Sequence, residues 1–367
     1  MLWTPPKRKQ NRLYGILTKC LFLAVFIPAM LIHRIALAID NVIFPQLQAI
    51  EMSKPLFIVG LPRSGTTTIH RMMSSHSKQF TTMPLWELIF APALCQKYLI
   101  WGAYKADTFM GSPVWKLLGW IQDRLAASFD DIHPTRLTDP EEDYLGLCAF
   151  DGCFLRFLLF PYQKSTWALG DFSSLPAHER QRLLSAYQNL VKRHLAFRGA
   201  DLRFLSKNPS FTTWVSDLAV AFPDAAFIGT YRNLAQVIPS QLSAIDGGLK
   251  LFGHSAKDPW IVGQFSRLLS EYEKRIAAHQ TDADKSFIGV DFEALVNAPE
   301  SVIEDIYRRL SIPPRNAQDT AQLEQLILAA RGYKSKHKYS PKEFGLQEND
   351  LGQELANLSS PHGAEPL

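Results

Sequence analysis

Residues 55–68 read PLFIVGLPRSGTTT. The run from Pro55 to Gly60 is apolar and partly β-branched, which predicts a short strand buried on both faces. A turn is expected from Leu61, and a helix over residues 69–75. Gly60 and Gly65 stand at the spacing of a phosphate-binding loop. Glycine permits the tight turn, and the N–H groups at the following helix start attract an anion. A nucleotide-triphosphatase loop carries Lys where this chain has Thr66. That Lys contacts the β- and γ-phosphates, so its absence argues against ATP or GTP hydrolysis. The loop offers one cation, Arg63, and three hydroxyls, on Ser64, Thr66 and Thr67. Such a set suits a short anionic group without a metal-bridged triphosphate.

Further strands are expected over residues 202–205, 226–230 and 287–290. Helices are expected over 175–198, 211–222, 234–245, 260–280 and 300–310. Strands alternating with helices predict an α/β fold, a P-loop-like three-layer sandwich with a central parallel sheet flanked by helices. Residues 84–128 read as mostly helical and rich in aromatics. Trp86, Trp101, Trp115 and Trp120 are expected in the core or around an apolar acceptor pocket. Asp139, Pro140 and Glu142 fit the N-cap, N1 and N3 positions of a capping box. An acceptor-binding pair is the second reading of Glu141 and Glu142.

Tyr231-Arg232-Asn233 falls at the end of the third long strand, where open parallel sheets bind ligands. Ser240 lies eight residues on, just over two helical turns, and so faces the same side. An Arg with a hydroxyl makes a second phosphate site, unless Arg232 pairs with a carboxylate instead. Two separated phosphate sites without the loop Lys describe 3′-phosphoadenosine-5′-phosphosulfate (PAPS).

PLFIVGLPRSGTTTIHRMMSSH, residues 55–76, resembles the 5′-phosphosulfate loop of the sulfotransferase superfamily. FIGTYRNLAQVIPSQLSAI, residues 227–245, resembles its 3′-phosphate segment. The Pro-Arg-Ser-Gly-Thr-Thr form is similar to bacterial and tyrosylprotein sulfotransferases. Cytosolic enzymes carry Lys at the place of Arg63. Residues 205–209, 290–296 and 339–346 are supportive, and the resemblance covers roughly residues 54–350. It implies PAPS as cofactor, with no metal required, and a hydroxyl or amine acceptor. Arg63 and residues Ser64, Gly65, Thr66 and Thr67 would hold the 5′-phosphosulfate. Arg232 and Ser240 would hold the 3′-phosphate. Lys207 would stabilise the transferring group, or else lie on the surface. Glu87 is the first candidate for general base, because tyrosylprotein and heparan sulfotransferases use a Glu in that region. His133 is the alternative, because cytosolic sulfotransferases use a His. His70 and His76 read as packed or exposed side chains. Arg331, Lys334, Lys336, Lys338 and Lys342 form a basic stretch, read as a solvated flank or as extra phosphate contacts.

The chain has 367 residues, with 39 Lys+Arg against 35 Asp+Glu, a formal +4. Six of the basic residues (Lys7, Arg8, Lys9, Arg12, Lys19, Arg34) fall before Asp40, with no acidic residue among them. The rest is close to neutral, so the excess is not a nucleic-acid signature. Four cysteines without metal spacing exclude a disulfide scaffold and give no metal site. Residues 13–32 are apolar apart from Lys19 and long enough to cross a bilayer. Basic flanks favour a membrane anchor or an in-plane segment through residues 13–44 over a signal peptide or a buried helix. The expected organisation is a hydrophobic N-terminal helix in a membrane-associated segment (1–50), a catalytic domain (51–350) and a loose tail (351–367). The acceptor is open among small molecules, lipids, glycans and tyrosine-bearing proteins. The expected location is the cytoplasmic membrane face in a bacterium, or the Golgi lumen in a eukaryote. Two rivals stand. One is a P-loop kinase or NTPase using Asp291 as a Walker-B carboxylate. The other is a non-catalytic membrane-associated binding protein of the same fold.

Overall fold

The computed structural model describes residues 7–128, 136–281, 286–332 and 341–346. His133, Lys334, Lys336, Lys338 and the tail expected over 351–367 lie outside the described residues. Five strands form one parallel sheet: β1 (Leu56–Gly60), β2 (Phe80–Thr81), β3 (Arg203–Lys207), β4 (Ala226–Tyr231) and β5 (Phe287–Asp291), in the order β2-β3-β1-β4-β5. The four longer strands match the sequence expectation. β2 was not legible, because two residues carry no periodicity.

The helices are α1 (Lys7–Ile43), α2 (Thr66–Ser74), α3 (Leu85–Phe90), α4 (Leu94–Phe109), α5 (Pro113–Ser128), α6 (Lys164–Trp167) and α7 (Ala177–Arg198). They continue with α8 (Val215–Ala221), α9 (Leu234–Leu251), α10 (Pro259–Thr281), α11 (Phe292–Asn297), α12 (Pro299–Arg309) and α13 (Ala317–Gly332). The helix expected over 211–222 divides: Pro209–Trp214 is a 3-10 turn and only Val215–Ala221 is α-helical. Pro28 does not divide α1, which runs on through it.

β1 is buried at every residue, and its side chains alternate between two cores. Phe57 and Val59 enter the larger core with Tyr187, Phe222 and Phe227, under α7 to α10. Leu56 and Ile58 enter the smaller one with Ile69, Met72, Ile228 and Ile303, under α2, α12 and α13. A strand covered on both faces needs apolar residues at odd and even positions, so the run is continuous rather than alternating. The result is three layers, with β1 at the centre. The chain builds first to one side of β1 and then to the other, which leaves a crevice at the carboxyl ends of β3, β1 and β4.

Thr138 to Glu142 does not open a helix. Pro140 bridges Pro84 in antiparallel fashion, Glu141 N donates to Met83 O (3.2 Å), and Leu85 N donates to Asp139 O (3.0 Å). The tertiary pairing with residues 83–86 overrides the capping signal, and the helix that follows is a 3-10 segment, Asp143–Phe150. Trp101, Trp115 and Trp120 are not core residues either: they are 50%, 41% and 54% exposed.

Candidate active site

The loop after β1 fixes the first part of the site. Gly60 has φ +123°, and a Cβ there would lie 2.2 Å from Thr230 O. Only glycine fits where β1 and β4 come this close. Leu61 N donates to Thr230 O (2.9 Å), which turns the chain over the end of β4. Arg63 itself adopts a left-handed conformation, φ +61°. Such a backbone in a residue with a long side chain is held by its surroundings and gathers at functional sites. Gly65 is the N-cap of α2 at φ +90°, with Leu295 packed where a Cβ would go. The first N–H groups of α2, on Thr66 and Thr67, have no intrahelical acceptor and face the crevice end of the helix. The Ser64 hydroxyl is engaged inside the protein: it donates to Leu61 O and meets Thr230 Oγ1 at 2.6 Å. Ser64 therefore offers its N–H, not its hydroxyl, which corrects the expectation of three free hydroxyls.

Arg232 follows β4, and Ser240 sits two turns into α9. Arg63 Nε donates to Ser240 Oγ (3.3 Å), and an Arg232 N–H donates to the Arg63 carbonyl (3.1 Å). The Arg232 guanidinium lies 4.1 Å from the ring centroid of Phe292, and its Nε donates to Gln236. No carboxylate pairs with Arg232 among the described ion pairs. The two anion sites read as separate thus adjoin, joined through Arg63. Asp291 caps α11 by accepting from Glu293 N (2.8 Å) and Ala294 N (3.1 Å). A carboxylate so engaged does not serve as a Walker-B group.

Lys207 ends β3 and is buried, not a surface Lys. Its Nζ lies 3.2 Å from Glu141 Oε1 and 3.3 Å from Glu142 Oε1. Burial pulls the Lys207 pKa down, but the two carboxylates more than offset it and hold the ammonium charged. Burial pushes the Glu142 carboxyl up, Lys207 opposes this, and Glu141 adds to it; the net direction is upward. A cation and a carboxylate poised to take a proton therefore lie together at the carboxyl edge of the sheet.

Glu87 does not fit the expected role. It is 1% exposed, and its oxygens meet Lys97 Nζ (2.7 Å), His194 Nδ1 (2.8 Å) and the Arg198 guanidinium (2.5 Å). Burial alone would raise its pKa, yet the three partners drive it well below the usual carboxylate range. A carboxylate held this way has no free lone pair facing the crevice and little basicity. His70 is buried with Nε2 3.1 Å from Thr82 Oγ1, and burial, with Lys207 nearby, depresses its pKa. His76 stacks on Tyr307.

A supporting network was not singled out from the sequence. Asp143 accepts from Tyr187 Oη (2.7 Å), Ser206 Oγ (3.1 Å) and Asn208 Nδ2, and Asn208 Oδ1 accepts from Tyr144 N (3.2 Å). It ties the segment after Glu142 to the end of β3, and so holds both carboxylates at Lys207. The signal available was the segment Leu205 to Pro209, which contains Ser206 and Asn208 beside Lys207. Burial pushes the Asp143 pKa up to about 7. The folded protein thus keeps a proton that the unfolded chain releases above its ordinary value, 3.8. This contribution disfavours folding progressively as pH rises from about 4 to 7, then levels off. Asp143→Asn removes it. The melting temperature of the variant relative to the wild type is expected to rise by a few degrees between about pH 4.5 and about pH 8. A pH-independent difference would exclude a protonated Asp143.

Residues 55–316 match the model of the sulfotransferase family. The fold is similar to that of sulfotransferase STF1 from Mycobacterium tuberculosis H37Rv, at 19% identity and TM-score 0.64, over 91% of this chain and 84% of that one. Sulfotransferase STF9 from Mycobacterium avium is similar at 16% identity and TM-score 0.68, over 92% of this chain and 84% of that one. No curated protein matches the chain in sequence.

Proposed function

The chain belongs to the sulfotransferase family, and on that premise we propose that it moves a sulfuryl group from PAPS to a hydroxyl or amine acceptor, releasing 3′-phosphoadenosine 5′-phosphate (PAP). One observation carries this reading: Arg63 meets Arg232 and Ser240, 169 and 177 residues further along the chain, at the strand ends. The residues suit a ligand with two anionic groups. Gly60 and Gly65 let the loop pack tightly on β4 and on Leu295 of α11, the N–H groups of Ser64 to Thr67 and Arg63 receive one anion, and Arg232 with Ser240 receives the other.

PAPS supplies the activated sulfuryl group when bound. Arg63 and the N–H groups at the α2 N-terminus would hold the phosphosulfate in line with the acceptor and would offset the negative charge that grows on the leaving phosphate. Lys207, kept protonated by its carboxylate partners, places a positive charge beside the transferring group. Glu142, with its raised affinity for a proton, accepts the acceptor's hydroxyl proton as the new O–S bond forms. Glu141 holds the Lys207 charge in place. A base must be deprotonated to act, so turnover falls as pH drops through the raised Glu142 pKa. Glu142→Gln should lose that acidic limb, whereas the limb surviving in Glu142→Gln and vanishing in His133→Ala would assign the base to His133.

Arg63→Ala and Arg232→Ala are each expected to weaken PAP binding by about 10–100-fold, the range for a lost charge-assisted hydrogen bond. Titration calorimetry with PAP measures this, and wild-type affinity in either variant would overturn the assignment. The N-terminal helix, long and apolar enough to cross a bilayer, supports membrane association. It favours a lipid or membrane-delivered acceptor among the classes open. A PAPS-dependent screen across lipids, glycans and tyrosine peptides tests the acceptor, and sulfation of none of them would count against the activity.

A further inference from the structure

Helix α1 has an apolar length sufficient to span a bilayer, yet one stripe of it, from Gly15 to Asp40, is docked on the catalytic domain. Its inward stripe runs through Gly15, Lys19, Leu23, Phe26, Met30, His33, Leu37 and Asp40 at helical spacing. Gly15 meets the backbone of Gly253, and Lys19 Nζ lies 3.2 Å from His254 Nε2. His33 bonds Gln96 and the Ile89 carbonyl. Asp40 accepts from Arg193 Nε (2.8 Å), Leu94 N (2.6 Å) and Cys95 N (2.9 Å). Twenty-five residues of helix from Gly15 to Asp40 cover about 38 Å at the α-helical rise. A helix crossing the bilayer would drag these polar contacts, and the domain surface that makes them, into hydrocarbon.

The outward face is inverted relative to a soluble helix. Every exposed residue between Leu13 and Ile43 is uncharged except Arg34, which pairs with Asp151 (2.7 Å). Leu17, Leu21, Val25, Leu31, Ile35 and Val42 stand out from it. Where α1 ends, α4 begins: Phe44 packs on Tyr98, and Asp40 caps the α4 N-terminus. The first turn of α4 packs on α1 and α7, with Leu94 and Lys97 buried; from Leu99 to Arg124, α4 and α5 form a hairpin in which Asp107 alone is buried. Leu99 is 75% exposed, Trp101 50%, Phe109 94% and Met110 66%. The parts of these 16-residue helices beyond the first turn of α4, which bury only Asp107 between Leu99 and Arg124, are poorly stabilised in water. The hairpin nevertheless has the composition of an interfacial segment. Trp101, Tyr104, Trp115 and Trp120 sit among aliphatic side chains, with Lys105 over Trp101 and Arg124 over Trp120. Its only carboxylate before Asp123 is Asp107, buried as the cap of α5 on Val114 N and Trp115 N.

We propose that the outward face of α1 and the α4–α5 hairpin form one continuous membrane-docking surface, which seats the protein on a single leaflet carrying anionic headgroups. The helix lies in the plane of that leaflet and does not span. Exposed aromatics at the headgroup level, long cations that reach the phosphates and an apolar tip at Phe109-Met110 match such a surface. The charge complements it: Lys105, Lys116 and Arg124 lie on the hairpin, against no exposed carboxylate between Phe90 and Gln122, and the sequence before Leu13 adds Lys7, Arg8, Lys9 and Arg12 with no acidic residue. This deepens the membrane-association reading above and is independent of the sulfuryl-transfer reading.

Flotation of the full-length protein with phosphatidylcholine vesicles containing phosphatidylglycerol tests it. The wild type should float, and more weakly with phosphatidylcholine alone. Phe109→Ser/Met110→Ser and, separately, Leu21→Ser/Val25→Ser should each cut vesicle partitioning by about tenfold or more. PAP affinity and melting temperature should be unchanged, because these side chains are exposed. Tags at the two termini should be protease-accessible on the same side of sealed vesicles. Three outcomes would overturn the proposal. They are a wild type that stays in the aqueous fraction as a monomer or dimer, variants that float like the wild type, and termini on opposite sides. Loss of PAP binding with flotation intact would count only against the active-site reading.

Discussion

Glu87→Gln is expected to destabilise the protein by about 3–5 kcal/mol, the cost of leaving buried charges without their partner, while the pH dependence of turnover stays as in the wild type. The carboxylate sits between Lys97, His194 and Arg198, contributed by α4 and α7, and so bonds the segment after β2 to both helices. The amide keeps the shape but removes the charge, so the Lys97 ammonium, itself fully buried, is left unneutralised. The sign with pH follows from the depressed Glu87 pKa. Its stabilisation is fully present above the ordinary carboxylate value, 4.5, and is lost as pH falls below it. The gap between wild type and variant in denaturant titrations should therefore be widest near neutrality and close in acid. A variant as stable as the wild type but with an altered pH–rate profile would restore Glu87 as the base.

Lys207→Met should lower kcat by about 100–1000-fold, the typical cost of removing one group that stabilises charge in the transition state, with PAP affinity changed less than about tenfold. Methionine matches the stem and removes the ammonium between Glu141 and Glu142. Because Lys207 is the largest influence that opposes the rise of the Glu142 pKa, its loss should also move the acidic limb of the residual activity to higher pH. An equal loss of PAP affinity and turnover would make Lys207 a binding residue instead.

The sheet was legible because its inner strands are uninterrupted apolar runs, and the loop after β1 and the Arg after β4 were placed at strand ends because glycine spacing and an Arg at a strand end are local patterns. What escaped depended on contacts between distant segments. The partners that neutralise Glu87 lie 10, 107 and 111 residues away along the chain, so its carboxylate read as available when it is not. Asp139-Pro140 has every local mark of a helix start, and only the pairing with Met83 to Trp86 cancels it. The adjacency of Arg63 to Ser240 spans 177 residues and is a property of the crevice, not of either motif. The tryptophans of α4 and α5 read as core because aromatics usually are. Their helices lack the complementary polar face that would have marked a surface.

The bonds from Asp40 to Arg193 and to the start of α4 also bear on how this enzyme can be prepared. Removing an apolar N-terminal segment is a common way to make such a protein soluble. Here it would take away Asp40, the only carboxylate paired with Arg193 (3% exposed) among the described residues, and the acceptor for two N–H groups at the start of α4. Arg193 lies one residue from His194, so the damage would reach the cluster around Glu87. Helix α1 thus completes buried polar contacts of the domain beneath it, and a chain trimmed before Leu47 is expected to melt at a lower temperature than the full-length protein.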